Sequence, residues 1–432
     1  MADNRLFEAL RRLNPAEIER LFGEEYTLGP PDPAVALAPV QRVAIIAEAF
    51  LPKVDGVSKS AFLTVRYLQQ TGREVLVFAP DTAPPAVGPS QVIALPSLGM
   101  PVAPETRMAL PSLAVAHHIE AFQPDLIHMF SPALLSVSGM LTGRLRGIPV
   151  IANYQTDLPA YSHHYGVPIF AGAVRDWLRY VHNGCHLTLV PSRYTLDQLR
   201  AWGYRRLRIW GRGVDGRCFN PQRRSAAWRA RLLNGRDPDA LLCVYVGRLA
   251  VEKRVDLLLE VARTPGVALT IIGDGAQRAE LEARFAGTGA QFTGYLFGDE
   301  LAQAYASADV FVFTGAAETF GQVVQEAMAS GLPAVVINQG GVADLVLEGE
   351  TGFTCPDDPA AFAAAVSRLR DEPELRARMA ARAHEIAAQR PWEVVMAQLE
   401  QHYSEAVRLN DRLRRMLTPS GLRLPSLLNW GH

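Results

Sequence analysis

Four short segments carry residue types whose spacing suggests chemistry. The richest is TGAAETFGQVVQEAMASGLPAVV (314–336), in which Glu318 stands just before a stretch of helical spacing and Glu326 lies inside it, eight positions on. At ~1.5 Å per residue the helical rise between them is ~12 Å. The paired carboxylates of a glycoside hydrolase sit only roughly 5–9.5 Å apart, so that chemistry does not fit. The spacing suits two carboxylates that read different hydroxyls of one long ligand, a sugar at one end and a ribose at the other. Thr319 or a neighbour is expected to cap a helix over about Phe320–Ser330, closed by Gly331 and Pro333. The N–H groups of Phe320 and Gly321 would then face phosphate oxygens. The plain alternative is a capping carboxylate followed by an exposed helical glutamate.

The other three segments are weaker singly. In VYVGRLAVEKRVDLLLEVA (244–262) an apolar strand ends at Gly247, and Arg248 and Lys253 follow near the start of a helix. Two cations there could neutralise the charge on a departing nucleoside diphosphate; alternatively Glu252 pairs with one of them as surface decoration. In AFLPKVDGVSKSAFLTVRYL (49–68) a loop with Pro52 and Gly56 leads from a strand into a helix opening near Val57. Gly56 permits close backbone approach and the helix start offers unpaired N–H groups, which suits a diphosphate, or the segment is an ordinary strand-to-helix turn. The turn Gly273–Asp274–Gly275 follows another strand and could touch a nucleotide base through its backbone, or be a tight turn and nothing more.

These segments need strand ends to hold them, and the chain supplies a suitable alternation. Apolar, β-branched runs fall at 42–47, 74–79, 91–95, 125–128, 149–152 and 187–190, with helical stretches between them such as 57–70, 132–146 and 174–183. The series restarts at 207–210 (LRIW) and continues at 241–247, 267–273, 309–313 and 334–337. Strands alternating with helices predict a parallel, doubly wound sheet, and two such series predict an α/β protein of two Rossmann-like domains facing across a cleft. Ligands of such sheets bind beyond the carboxyl ends of the strands. A chain of 432 residues also exceeds the size at which one core keeps growing. We expect an N-terminal extension at 1–40, with a helix over 4–22 and a Pro-rich spacer at 28–39. A first domain follows at 41–203 and a second at 204–390, the switch falling between Leu199 and Leu207. Residues 391–432 are expected to form a helix returning to the first domain, plus a tail.

Bulk properties narrow the function classes. A net charge of −1 gives no overall attraction to nucleic acid. Nine arginines crowd the stretch from Arg205 to Arg231 against the single acid Asp215, which reads first as a solvated basic face and second as an anion-facing one. Four widely spaced cysteines form no CxxC pair, which argues against structural zinc and a disulfide scaffold and fits a reducing compartment. The start MADNRLFEALRR lacks a signal pattern, and no apolar run is long enough to span a bilayer, so a cytoplasmic protein able to rest on the membrane face is expected. No GxGxxG turn follows a strand, which argues against a nicotinamide-dependent dehydrogenase.

Taken in order, FLPKVDGVSKS (50–60), VPSRYT (190–195), GRGVD (211–215), GRLAVEKR (247–254), IIGDG (271–275) and ETFGQVVQE followed by AMASGLP resemble the retaining glycosyltransferases of family four, whose fold is called GT-B. The likeness covers roughly residues 42–410. It implies a hexose transferred from a UDP- or GDP-linked sugar. Gly56, Gly247, Arg248 and Lys253 would line the diphosphate, and Gly273 and Asp274 the nucleoside. Glu318, Phe320 and Gly321 would hold the donor sugar, and Glu326 the ribose hydroxyls. No bound metal or cofactor is implied, and Asp237 and Asp239, flanking Pro238, do not make a DxD-type site. Many relatives carry a histidine where NYQTDLPAY (153–161) has Gln155; a subset acting on lipid acceptors looks similar, with YQTD there, so Gln155, Asp157 and Tyr161 are placed on the acceptor side, Asp157 being the one acid that this loop of the first domain offers near the sugar. His163 and His164 read as polar lining. The apolar stretch 94–115, with Arg107, Arg144 and Arg146, could rest on an anionic bilayer; the alternative is that it packs on its own domain. An epimerase on the same fold and a catalytically silent nucleotide-sugar-binding protein are the rival readings.

Overall fold

The computed structural model describes residues 28–51, 56–100, 103–156 and 171–417. The expected helix at 4–22, and Pro52, Asp157, Tyr161, His163 and His164, lie outside the described residues.

The first sheet holds β1 (Arg42–Ala47), β2 (Glu74–Pro80), β3 (Ala86–Val87), β4 (Ser90–Leu95), β7 (Leu126–Phe130), β8 (Val150–Asn153), β9 (Leu187–Val190) and β10 (Leu207–Ile209), in the order β10-β9-β8-β7-β1-β2-β4-β3. All its pairings are parallel except the short β3–β4 hairpin. A separate antiparallel pair, β5 (Ser97–Met100) and β6 (Ala103–Ala109), occupies most of the apolar 94–115 stretch. The second sheet holds β11 (Leu241–Val246), β12 (Val267–Ile272), β13 (Gln291–Gly294), β14 (Val310–Phe313), β15 (Ala334–Ile337) and β16 (Gly352–Cys355), in the order β13-β12-β11-β14-β15-β16 and wholly parallel. Runs such as LLCVYV and VALTII are buried along their whole length because helices cover both faces of the sheet. Each sheet reverses its winding at its centre, between β1 and β7 and between β11 and β14, where ligand crevices form in open α/β sheets.

Two expectations need correction. Leu207–Ile209 was expected to open the second series but pairs parallel with β9 as the edge of the first sheet. Residues 28–40 do not form a detached spacer. Ala38 and Val40 are buried in the first lobe's core, and the Ala38 N–H donates to Glu400 Oε2 at 2.8 Å. The carboxylate comes from the helix Trp392–Leu417, whose Trp392, Val395, Met396, Leu399, Tyr403 and Ala406 share that same core. Arg73 closes the knot. It donates to both Glu400 oxygens at 2.7 and 2.8 Å and to Val40 O at 2.8 Å, with both side chains 1% exposed.

Candidate active site

The loops beyond the two sets of strand ends meet. The Thr319 hydroxyl, after β14, donates to Gln155 O, after β8, at 2.8 Å. The Thr195 hydroxyl donates to Thr319 O at 3.1 Å, and the Tyr194 N–H to Asp344 Oδ2 at 2.7 Å. Thr319 therefore ties the lobes and does not cap a helix. The helix after it is shorter than expected, Gln322–Ala329, with Gly321 at its N-cap in the left-handed region at φ 94°. Phe320 and Gly321 precede the helix, because a glycine at that φ turns the chain more cheaply than any threonine cap could. Gly341 makes the loop possible from behind: a Cβ there would lie 2.2 Å from Thr319 O.

The second lobe supplies one wall. Gly273 presses so closely on the neighbouring loop that a Cβ would lie 2.0 Å from Gly247 O. Asp274 binds within its own turn, accepting from Gly275 N–H at 2.7 Å and from Arg278 at 3.1 Å. Lys253 ends a 3-10 turn, Val251–Lys253, with Arg248 in the loop just before it, in place of the regular helix start expected. Arg248 donates to Glu252 Oε1 at 2.5 Å; Glu252 is buried, so this pair shapes the wall and is no surface ornament. The Thr314 hydroxyl fixes the Lys253 carbonyl at 2.7 Å, and the Lys253 ammonium pairs with the Glu318 carboxylate. Glu326, buried in its helix, faces the first lobe.

What it faces is Lys59. The Lys59 ammonium, from the first turn of the helix Gly56–Gln70, lies 3.6 Å from Glu326 Oε1, with the two side chains 8% and 9% exposed. Gly56 opens that helix toward empty space, where a Cβ would meet nothing within 4 Å. Lys59, Glu326, Gly247, Arg248, Gly273 and Tyr295 line a cavity of about 200 Å³ between the lobes. The structure thus gathers Gly247, Arg248, Gly273 and Glu326 about one space, with the Lys253–Glu318 pair on the loops of the same wall. The basic run divides: Arg208, Arg217, Arg223, Arg224, Arg229 and Arg231 pair with acids as staples. Arg212 alone of that run turns to the site, buried and bonded to Gly56 O and the Ser60 hydroxyl, while Gln325 holds its carbonyl at 3.1 Å.

Sequence reasoning missed Lys59 and Glu48. Lys59 meets its partner only across 267 positions, which no local pattern reveals. Glu48 had a signal, an acid directly after an apolar strand. It accepts from the Ala133 and Ser136 N–H groups at 2.9 Å each, and its Oε2 is buried without a hydrogen-bond partner. Burial pushes its carboxyl up to about 7 against those two bonds. Gln155 Oε1 is likewise buried without a partner. Among the described residues no group of three or more His, Cys, Asp or Glu is placed to hold a metal ion.

Comparison with known proteins agrees with this two-lobe fold. Residues 54–216 match Glycosyltransferase Family 4, and residues 228–386 match Glycosyl transferases group 1. The chain is 42% identical to a GDP-mannose-dependent alpha-mannosyltransferase of Mycobacterium tuberculosis, over 85% of this chain and 97% of the relative. It is 37% identical to a sulfoquinovosyl transferase of Arabidopsis thaliana, over 74% of this chain and 64% of that one. Sucrose-phosphate synthase of Thermosynechococcus elongatus shares the fold with a TM-score of 0.68 at 22% identity, over 84% of this chain and 98% of the other. Two parallel sheets whose carboxyl ends converge on a shared cleft, together with these likenesses, establish that the chain is a glycosyltransferase belonging to family four, with the GT-B fold.

Proposed function

We propose that this glycosyltransferase moves mannose, with retention of configuration, from GDP-mannose to a hydroxyl of a lipid-linked acceptor at a membrane surface. One observation carries the reading: Arg248 and Glu326 line one cavity between the lobes, and the Lys253–Glu318 pair stands on neighbouring loops of the same lobe. Such a set matches a ligand that is anionic in the middle and hydroxyl-bearing on both sides. The choice of GDP-mannose is supported by the relative at 42% identity over nearly the whole chain.

In this reading Glu326 takes the ribose hydroxyls and Glu318 the sugar hydroxyls, while Arg248 and Lys253 hold the diphosphate. The bond from the anomeric carbon to the phosphate oxygen breaks as the acceptor oxygen attacks from the same face. The acceptor's proton passes to the departing phosphate oxygen, so no carboxylate nucleophile is required. Arg248 and Lys253 stabilise the charge that grows on the leaving group, a role a divalent cation fills in other enzymes. Gln155 is assigned to the acceptor side.

The membrane part rests on the first lobe. Its adjacent helices Leu113–Phe122, Ser136–Arg146 and Ala171–Gly184 expose Leu113 (90%), Leu145 (85%), Leu141, Trp177 and Tyr180. Arg144 stands beside Leu141 and Leu145 on one of these helices, whereas Arg175 and Arg179 pair with Asp176 and pack on Trp202, so the exposed apolar groups carry a basic border of the kind that suits anionic lipid. Arg107 is not part of it: it pairs with Asp81 at 3.1 Å inside the β5–β6 region. No helix of the described residues is long and apolar enough to cross a membrane.

The test supplies GDP-mannose, UDP-glucose, UDP-sulfoquinovose and ADP-glucose in turn, with anionic vesicles carrying a membrane lipid extract. Product is followed by proton NMR of the anomeric centre, with and without excess EDTA. Transfer from GDP-mannose alone, with α configuration kept and the rate unchanged by EDTA, is expected. Preference for another donor, inversion, or loss of rate on chelation would each refute the matching part.

A further inference from the structure

Lys59 sits where its own helix gives it no reason to be. It lies in the first turn of Gly56–Gln70, a turn with no acidic residue, where the helix dipole favours negative charge. It is also buried, and desolvating an ammonium is costly unless an anion meets it. An anion that meets it is Glu326, at 3.6 Å, an ion-pair distance too long for a good hydrogen bond. Both groups line the cavity that Arg248 shares, yet they come from opposite lobes. The start of the helix is further pinned to the interlobe segment by Arg212, which grips Gly56 O and Ser60, and that segment is pinned to the second lobe by Gln322 and Gln325. On the first-lobe side of a cavity whose other side carries Arg248 stands Lys59, three positions into the helix that Gly56 opens.

We infer that Lys59 is a donor-binding residue supplied by the first lobe: Glu326 holds it while the cleft is empty, and it passes to the donor's diphosphate when the ribose claims Glu326. This rests on the assignment of the cavity to a nucleotide-sugar. The exchange keeps Lys59 against an anion in both states, while Glu326 trades its ion pair for hydrogen bonds from the ribose hydroxyls. It also links the lobes through the ligand, because the ribose is read from the second lobe and the diphosphate is gripped from both. Lys59 is then a positioning and affinity group whose effect depends on the phosphates and not on the nucleoside.

The dependence on phosphate makes the idea testable by calorimetry on the full chain with GDP and guanosine, with UDP and uridine or ADP and adenosine as alternative pairs. Wild-type protein is expected to prefer the diphosphate strongly. Lys59→Met should weaken diphosphate binding by roughly tenfold or more, about 1.4 kcal/mol, while nucleoside binding holds or improves because Glu326 is released. Lys59→Arg should restore part of the preference. Diphosphate binding as tight as wild type or tighter in Lys59→Met overturns the inference, since the lysine would then merely plug Glu326. Equal loss of nucleoside and diphosphate also overturns it, since the lysine would then only shape the pocket. Lys59→Gln answers the same question if Lys59→Met does not fold. Failure of wild-type protein to bind any of the three diphosphates is a different result: it removes the nucleotide-sugar reading itself.

Discussion

Lys253→Ala separates a catalytic cation from a structural one. The lysine's amino group pairs with Glu318 at side-chain exposures of 14% and 26%, so solvent reaches both partners. A pair of that kind contributes up to about 1 kcal/mol to folding, which for a domain of this size moves Tm by roughly 2–4 °C. A donor aimed at charge growing in the transition state contributes more, about 2.7–4 kcal/mol, or 10²–10³ in rate. The substitution should therefore lower kcat by two to three orders of magnitude, to the extent given by that range, while Tm falls by only the few degrees stated. Stopped turnover of the sugar nucleotide gives kcat and KM, and a thermal melt gives Tm. Arg254→Ala is the control. That neighbouring cation is tied to Asp357 at 2.8 Å and to Asp256 at 3.4 Å, away from Glu318, and its loss should leave kcat unaltered. A kcat within tenfold of wild type in Lys253→Ala, or a loss of rate that merely tracks unfolding, would refute the reasoning.

Other substitutions test the scaffold. Glu400→Ala leaves Arg73 buried without its carboxylate and the Ala38 N–H without its acceptor, so a loss of about 3–5 kcal/mol is expected in denaturant unfolding of the first lobe. Joint replacement by Met at 73 and Leu at 400 should recover most of it. Glu48 has a folded-state pKa near 7 against 4.5 ordinarily, so its contribution to stability is fully present below 4.5 and lost as pH rises through 7. Glu48→Gln should then stabilise the protein at pH 8, by up to roughly 3 kcal/mol, with the gain vanishing by pH 4.5; melts across that range show it. Gly341→Ala must push back Thr319 O and Phe320 N, so turnover should drop by about 10² with donor affinity less affected, as expected when a positioning loop shifts by an ångström.

Much of the architecture was legible in the sequence because buried parallel strands read as unbroken apolar runs. β1, β9 and β15 fall where RVAIIA, LTLV and AVVI predict them. The two-lobe GT-B reading and the family follow from the motif order, and the comparisons agree. What the sequence hid was partnership. Leu207–Ile209 has only three residues, and nothing in its apolar character says which sheet edge accepts it. β16 was missed because GFTC is short and mixed in polarity, and β13 because its residues are only half-buried. The strand pair β5–β6 looked like an apolar loop since Pro96 and Pro101 punctuate it. Thr319 read as a helix cap by local rules, yet its hydroxyl found Gln155 in the opposite lobe. The crowded arginines were half legible. Their abundance was plain, but only the folded chain shows that most bind acids while Arg212 reaches the helix at Gly56.

The central claim is that fixed cations contributed around one interlobe cleft hold a nucleoside diphosphate. A crystal structure of the protein with GDP measures it directly. The two phosphates are expected between Arg248, Lys253 and the start of the Gly56–Gln70 helix, with both ribose hydroxyls on the Glu326 carboxylate. A diphosphate bound elsewhere, with those side chains turned to solvent, would contradict it.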